Sequence, residues 1–261
     1  MTAAIELQGL SKRFQEKVAV SPMTLTINQG ELFGLLGVNG AGKTTVLNML
    51  SGLVKPTTGD ALVLGHSLSN IPSIRKVLAV SPQETSIAPN LSVRENLLLM
   101  ARIHGFSKEK SIEKTEALIS QFSLQPYEHQ RGKNLSGGWQ RKLSIAMALI
   151  ADPKILFLDE PTLGLDIISR RELWAMINKL RETTTIVLTT HYLEEAEALC
   201  DRICIMRDGE IKALGTVDEL LTTASKENFE DAFVHFVTGG SKSSFPSYKE
   251  RANLHWRKFY L

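Results

Sequence analysis

Cysteine is scarce: 261 residues contain two, Cys200 and Cys204. One Cys-x-x-x-Cys spacing, with no second pair and no clustered histidine, gives neither a disulfide framework nor a zinc site. Long apolar runs are missing as well. None approaches the roughly 18–20 residues that a membrane-spanning helix needs, and the opening Met-Thr-Ala-Ala-Ile-Glu has neither the basic nor the apolar region of a secretory leader. The expectation is a protein that stays in the cytoplasm. A one-signed charge is also lacking, since the formal net charge is +2. Beyond residue 240, Lys242, Lys249, Arg251, Arg257 and Lys258 face only Glu250, so the body of the chain is slightly acidic. A basic nucleic-acid-binding body is excluded, and no nucleic-acid partner is expected. No internal repeat appears. What is present is a 43% apolar composition, enough for one large or two small cored domains.

Alternation at Ile5-Glu6-Leu7 and at Thr24 to Asn28 predicts half-buried strands of an N-terminal antiparallel layer. Glu31 to Leu36 is a continuous apolar run, as in a buried parallel strand, and a helix is expected from Thr44 to Leu53. Between about Glu84 and Lys133 the pattern turns helical. Ser92-Val93-Arg94-Glu95 is a capping box, and Ser107 caps a second helix running toward Phe122. After Leu135 the order is helix to about Ile150, strand 155–158, helix 168–180, strand 185–188 and helix to about Leu199. This βα alternation implies a parallel sheet. Asp208-Gly209 joins a hairpin, and Thr216 to Glu219 caps a short helix.

Three segments carry chemistry. In Gly37-Val38-Asn39-Gly40-Ala41-Gly42-Lys43-Thr44, glycines let the backbone N–H groups wrap a phosphate at a helix start, whose dipole favours anions. Lys43 adds a point charge on the β- and γ-phosphates, Thr44 offers a hydroxyl to Mg²⁺, and Thr45 is placed for a phosphate contact. Asp159 ends the apolar strand Ile155-Leu156-Phe157-Leu158, so its carboxylate emerges at the sheet edge where open α/β sheets bind ligands. Glu160 follows directly. In Leu135-Ser136-Gly137-Gly138-Trp139-Gln140-Arg141, Ser136 can cap the next helix, and Gly137 and Gly138 leave bare N–H groups at its positive end. That is a second anion site.

With these segments in this order, the chain resembles the ATP-binding cassette (ABC) family, specifically the separate ATPase subunit of a membrane transporter, from about Ile5 to Gly239. The resemblance implies a P-loop NTPase fold: α/β with a mainly parallel sheet, an N-terminal antiparallel β-subdomain and an inserted helical lobe over about 84–133. It implies ATP and Mg²⁺ as cofactors. Phe14, Gly37, Asn39, Gly40, Ala41, Gly42, Lys43, Thr44 and Thr45 then bind one ATP, with Phe14 stacking on adenine; simple core packing is the other reading of Phe14. Thr44, Gln83 and Asp159 are the metal set. Glu160 is the general base, assisted by His191, Gln83 and Lys43. Ser136, Gly137 and Gly138 close on ATP held by a second copy or a paralogous subunit packed head to tail, and Asp166 lies at that interface. Trp139 departs from the usual fifth residue, and Ile167 stands where proline is more usual. The partner implied is a polytopic membrane permease, docked on the lobe from Gln83 to about Gly105 at the cytoplasmic face of the inner or plasma membrane. Near the end, Glu227 to Phe236 resembles the closing helix of exporter-type subunits for drugs, lipids or polysaccharides. Residues 240–261 form a basic, aromatic tail, either disordered or lying on anionic lipid or the partner. The competing reading is a soluble ABC ATPase of translation, repair or cell-wall signalling; the long insertion and second cassette of such proteins do not appear.

Overall fold

The computed structural model describes residues 2–239, so the tail, with Phe245, Trp256, Phe259 and Tyr260, lies outside the described residues. Strands β1 (Ala3–Phe14), β2 (Lys17–Asn28), β4 (Thr58–Val63) and β5 (His66–Ser67) form one antiparallel sheet in the order β2-β1-β4-β5. A second sheet combines β3 (Leu32–Leu36), β6 (Leu78–Ser81), β7 (Ile155–Asp159), β8 (Thr185–Thr190), β9 (Arg202–Arg207) and β10 (Glu210–Gly215). Its order is β10-β9-β3-β8-β7-β6, parallel except for the β9–β10 hairpin. Asp208 and Gly209 both have positive φ, 52° and 77°, as a tight hairpin turn demands.

All five residues of β3 and of β7 are buried, which suits parallel strands covered on both faces. Their period of two divides the core. Phe33, Leu35, Ile155 and Phe157 point toward α1 (Lys43–Leu50) and the antiparallel sheet. Leu32, Leu156 and Leu158 point the other way, toward the helical side. Removing any of these fully buried apolar side chains forfeits about 1.5–3 kcal/mol of transfer energy. Helix α1 is shorter than the sequence suggests. It stops at Leu50 because Ser51 takes the cap and Gly52 turns to φ +71°.

After the short α2 (Ile71–Ile74), the lobe consists of α3 (Val93–Ile103) and α4 (Lys108–Gln121), opened by Ser92 and Ser107 as their side chains predict. Asn96 is fully buried and holds the loop before α3, accepting from Ala88 N and donating to Leu91 O and Ser92 O. Helices α5 (Gly137–Ala148), α6 (Ile167–Leu180) and α7 (Leu193–Leu199) cover the parallel sheet. Helices α8 (Val217–Ala224) and α9 (Phe229–Thr238) pack together beside β9 and β10. No helix among the described residues is long and apolar enough to cross a membrane.

Candidate active site

Parallel register brings the carboxyl ends of β3, β6, β7 and β8 to one edge. Leu36 lies beside Thr190, Asp159 beside Thr189 and Ser81 beside Leu158. The loop after β3 closes tightly on its neighbours. A Cβ at Gly37 would lie 2.3 Å from Met206 O, and Gly42 adopts φ +101° with Ala19 O 2.6 Å from where a Cβ would sit. No other residue type fits these two positions.

Lys43 follows at the first turn of α1, with 5% of its surface exposed. Its ammonium donates to Gly37 O at 2.7 Å and Val38 O at 3.3 Å, and lies 3.6 Å from Glu160 Oε1. Burial lowers its pKa below the usual lysine value, while the carboxylates of Glu160 and Asp159 pull the other way. Thr44 Oγ1 donates to Asp159 Oδ1 at 3.1 Å, and Thr189 Oγ1 donates to the same oxygen at 2.5 Å. A threonine hydroxyl and a carboxylate in contact form the hard, all-oxygen donor set that Mg²⁺ prefers.

Glu160 stands at φ +46°, rare for a residue with a side chain. Its N–H donates to Thr189 O at 3.1 Å and lies 3.0 Å from Thr189 Oγ1, bonds that hold a conformation costing about 1–3 kcal/mol. The turn aims its carboxylate back over the loop. His191 Nδ1 lies 3.1 Å from Glu160 Oε2, without the angle of a proper hydrogen bond. Lys43, Glu160 and His191 thus form one short row.

A cleft of about 590 Å³ opens above this row. It is lined by Asn39, Gly40, Ala41, Gly42, Lys43, Thr44, Thr45, Gln83, Glu160 and His191, with Phe14, Lys17 and Ala19 as a side wall. Phe14 is 47% exposed and has no place in the buried core, so the simple packing reading of this residue fails. Gly37 and Asp159 are not part of the lining. Cys200 and Cys204 are elsewhere, and burial pushes the Cys204 thiol up to about 12, leaving it inert.

Ser136, Gly137 and Gly138 do not join this cleft. One expectation is corrected here: Ser136 occupies the N-cap position of α5, but its hydroxyl makes no capping bond. The residue is exposed, and the turn is held instead by Gln140 Nε2, which donates to Gly132 O and Leu135 O, each at 3.2 Å. Trp139 leans on Tyr127 of the lobe, ring centroids 4.4 Å apart, with the Lys142 ammonium 4.1 Å over its ring. Asp166 caps α6 by accepting from Ile168 N at 2.9 Å and Ser169 N at 3.0 Å, bonds that hold its carboxyl below the usual range. Next to it Ile167 and Ile168 are 70% and 72% exposed.

Sequence reasoning missed Thr189, which only the β7–β8 register brings to Asp159. It also missed Glu195, a fully buried carboxyl on α7 that accepts from Trp174 Nε1 at 3.1 Å beside the Thr162 and Thr190 hydroxyls. A glutamate in Leu193-Glu194-Glu195 gives no local signal of burial.

The profile of the ABC transporter family matches residues 20–163. The phospholipid-transporting ATPase ABCA3 of Homo sapiens is 42% identical over 221 residues, covering 83% of this chain and 13% of that protein, so the chain spans a small part of that relative's length. The daunorubicin/doxorubicin resistance ATP-binding protein DrrA of Streptomyces peucetius is 40% identical, covering 84% of this chain and 67% of that one. Among solved structures, the ATP-binding cassette MJ0796, a dimer in a post-hydrolysis state bound to ADP and Pi, matches with a TM-score of 0.72. It is 26% identical, over 81% of this chain and 98% of that one. The strand-loop-helix cleft, the Asp159-Glu160 edge and the separate glycine pair of α5 thus have a common origin: this chain belongs to the ABC transporter family.

Proposed function

We propose that the chain is the ATP-binding and ATP-hydrolysing subunit of an ABC transporter, working as a head-to-tail pair of cassettes under a separate membrane permease. The observation that carries this reading is the convergence of Lys43, Thr44, Asp159, Glu160 and His191 on one cleft. ATP enters with adenine against the exposed ring of Phe14, which needs only a π-face for stacking. The N–H groups from Gly40 to Thr45 and the Lys43 ammonium take the β- and γ-phosphates. Thr44, Asp159 and Gln83 would hold Mg²⁺, which would supply positive charge against the phosphates. Glu160 accepts a proton from the attacking water as its oxygen bonds to the γ-phosphorus, and the bond to the oxygen that leaves with ADP breaks. His191 donates to the γ-phosphate and keeps Glu160 in line.

The exposed N-terminus of α5, with Ser136, Gly137 and Gly138, supplies the last donors to the γ-phosphate held by the other copy. The dimeric, ADP- and Pi-bound state of the related cassette supports this arrangement. Export is favoured over import by the kinship with a drug-resistance ATP-binding protein and by the packed closing helix α9. The lobe docks the permease at the cytoplasmic membrane face. Leu99 and Ile103, one turn apart on α3 and 42% and 66% exposed, are its apolar contact surface. Two measurements test the reading: Mg²⁺-dependent ATP hydrolysis by the purified chain, and recovery of a polytopic membrane protein with it from membranes. Hydrolysis without any such partner supports the soluble ATPase alternative. Lobe substitutions such as Leu99→Asp with Ile103→Asp are expected to lose membrane association; retention of both association and ATP-linked transport contradicts the docking role.

A further inference from the structure

Arg141 is a cation in the wrong place for an ordinary surface arginine. It lies on α5 one turn past the signature glycines, with 4% of its surface exposed, and no carboxylate among the described residues comes within ion-pair distance of its guanidinium. A buried unpaired charge is expensive unless its donors are consumed. Two of them are taken by backbone, and the Asp159 and Glu195 carboxylates attract the charge from beyond ion-pair distance. One terminal nitrogen donates to Pro82 O at 2.6 Å and the other to Gln83 O. One turn further along α5, Ser144 Oγ meets Ser81 Oγ at 3.3 Å. Three consecutive residues at the end of β6, Ser81, Pro82 and Gln83, are therefore stitched to the first two turns of α5.

The same edge of the lobe is tied back to the signature turn. Gly132 N donates to Leu91 O at 2.8 Å and Lys133 N to Pro89 O at 2.9 Å, and Gln140 holds Gly132 and Leu135 from the other side. Gln83 lines the chain's own nucleotide cleft, whereas Gly137 and Gly138 do not. The Arg141 guanidinium, on the helix that begins with those glycines, bonds directly to the Gln83 backbone. Its planar fork matches two successive carbonyls, which a lysine's point charge cannot do as well.

We propose that Arg141 is a positioning residue that locks the signature edge of α5 to the Gln83 segment, so that nucleotide filling one copy's own cleft sets the edge this copy offers to the other copy's ATP. Occupancy then transmits along a short covalent and hydrogen-bonded path, and the two sites of a pair read each other through two such arginines. The inference rests on the paired ATPase reading above.

The test uses the full chain with three measurements. They are own-site ATP affinity at protein concentrations that keep the chain monomeric, the ATP dependence of hydrolysis, and the ATP-driven dimer fraction in a Glu160→Gln background. Arg141→Gln is expected to leave own-site affinity within about twofold, while turnover and dimer fraction fall about tenfold and the Hill coefficient drops toward one. Arg141→Lys restores part of the loss, and Ser144→Ala, which removes only the second tie, gives a smaller change of the same kind. The proposal is overturned if Arg141→Gln hydrolyses ATP with unchanged cooperativity. It is equally overturned if own-site affinity and melting temperature fall in step with turnover, which marks a purely structural role. Should Arg141→Gln fail to fold, wild-type cooperativity in both Arg141→Lys and Ser144→Ala overturns it. Failure of the parent reading looks different, because wild type itself would then neither bind ATP nor dimerise.

Discussion

The phosphate-loop cleft and the signature edge use the same device, backbone N–H groups at the start of a helix, yet they are built in opposite ways. Around the cleft the functional groups are sunk and tied: Lys43, Asp159 and Glu160 are buried, each held by a neighbour from another strand or loop. At the signature edge Ser136 and Gly137 are exposed, and the serine hydroxyl spends nothing on its own helix. On the proposed pairing, the difference means that one half of the chemistry is finished within a single chain and the other half is left open for a second. Damage to the cleft should therefore act within one copy, and damage to the edge should act only across the pair.

The largest effect is expected at Glu160. Glu160→Gln removes the base but keeps the shape, so ATP binding persists, turnover falls about 10²-fold or more, and dimers accumulate in ATP as read by size-exclusion chromatography. A persistent monomer with full turnover contradicts the role. On the other side of the comparison, Gly137→Asp is tolerated within one copy, because the nearest atom to a Cβ there is Leu165 Cδ2 at 3.8 Å. Its carboxylate then repels the partner's phosphates. Own-site ATP affinity should stay within about twofold while turnover falls by at least tenfold; a parallel loss of affinity would erase the distinction between the two regions.

A smaller effect belongs to the cleft wall. Phe14→Ala should weaken ATP binding by about 1 kcal/mol, or roughly fivefold, with Phe14→Tyr near wild type. An unchanged affinity for Phe14→Ala in a direct binding titration removes the stacking assignment. The smallest concerns Glu195, which touches neither edge directly. Burial raises its pKa above the usual carboxylate range, the Thr190, Thr162 and Trp174 donors only partly opposing it. The folded state then holds a proton that the unfolded state releases, so this group's stabilisation is present at low pH and is lost as pH rises through the elevated folded value. Thermal melts from acid to mildly alkaline pH should show wild type losing stability relative to Glu195→Gln. A gap that does not change with pH refutes this.

Local signals are legible in the sequence itself. The phosphate loop between strand and helix, the capping serines at 92 and 107, and the Asp208-Gly209 turn all depend on neighbours within a few residues. Strands β4 and β5 are not legible in this way: Gly59 and Asp60 are poor strand formers, and the segment is held extended by pairing with β1, about fifty residues distant. The same limit applies within the site. Asp159 and Glu160 can be read from their strand, but Thr189 reaches Asp159 through register and Arg141 reaches Gln83 through packing. Ser136 is the instructive error. Its position is that of a helix cap, and the sequence rule places its hydroxyl on its own helix, whereas the fold leaves it facing outward.

The central claim, that each cleft is completed by the other copy's signature edge, is tested most directly by mixing two inactive variants. In a mixed pair of Glu160→Gln with Gly137→Asp, one site carries both lesions and the other carries neither. The account predicts that the mixture regains roughly a quarter of wild-type ATP hydrolysis, because half of random pairs are mixed and each has one intact site. Activity no greater than the sum of the two variants alone would contradict it.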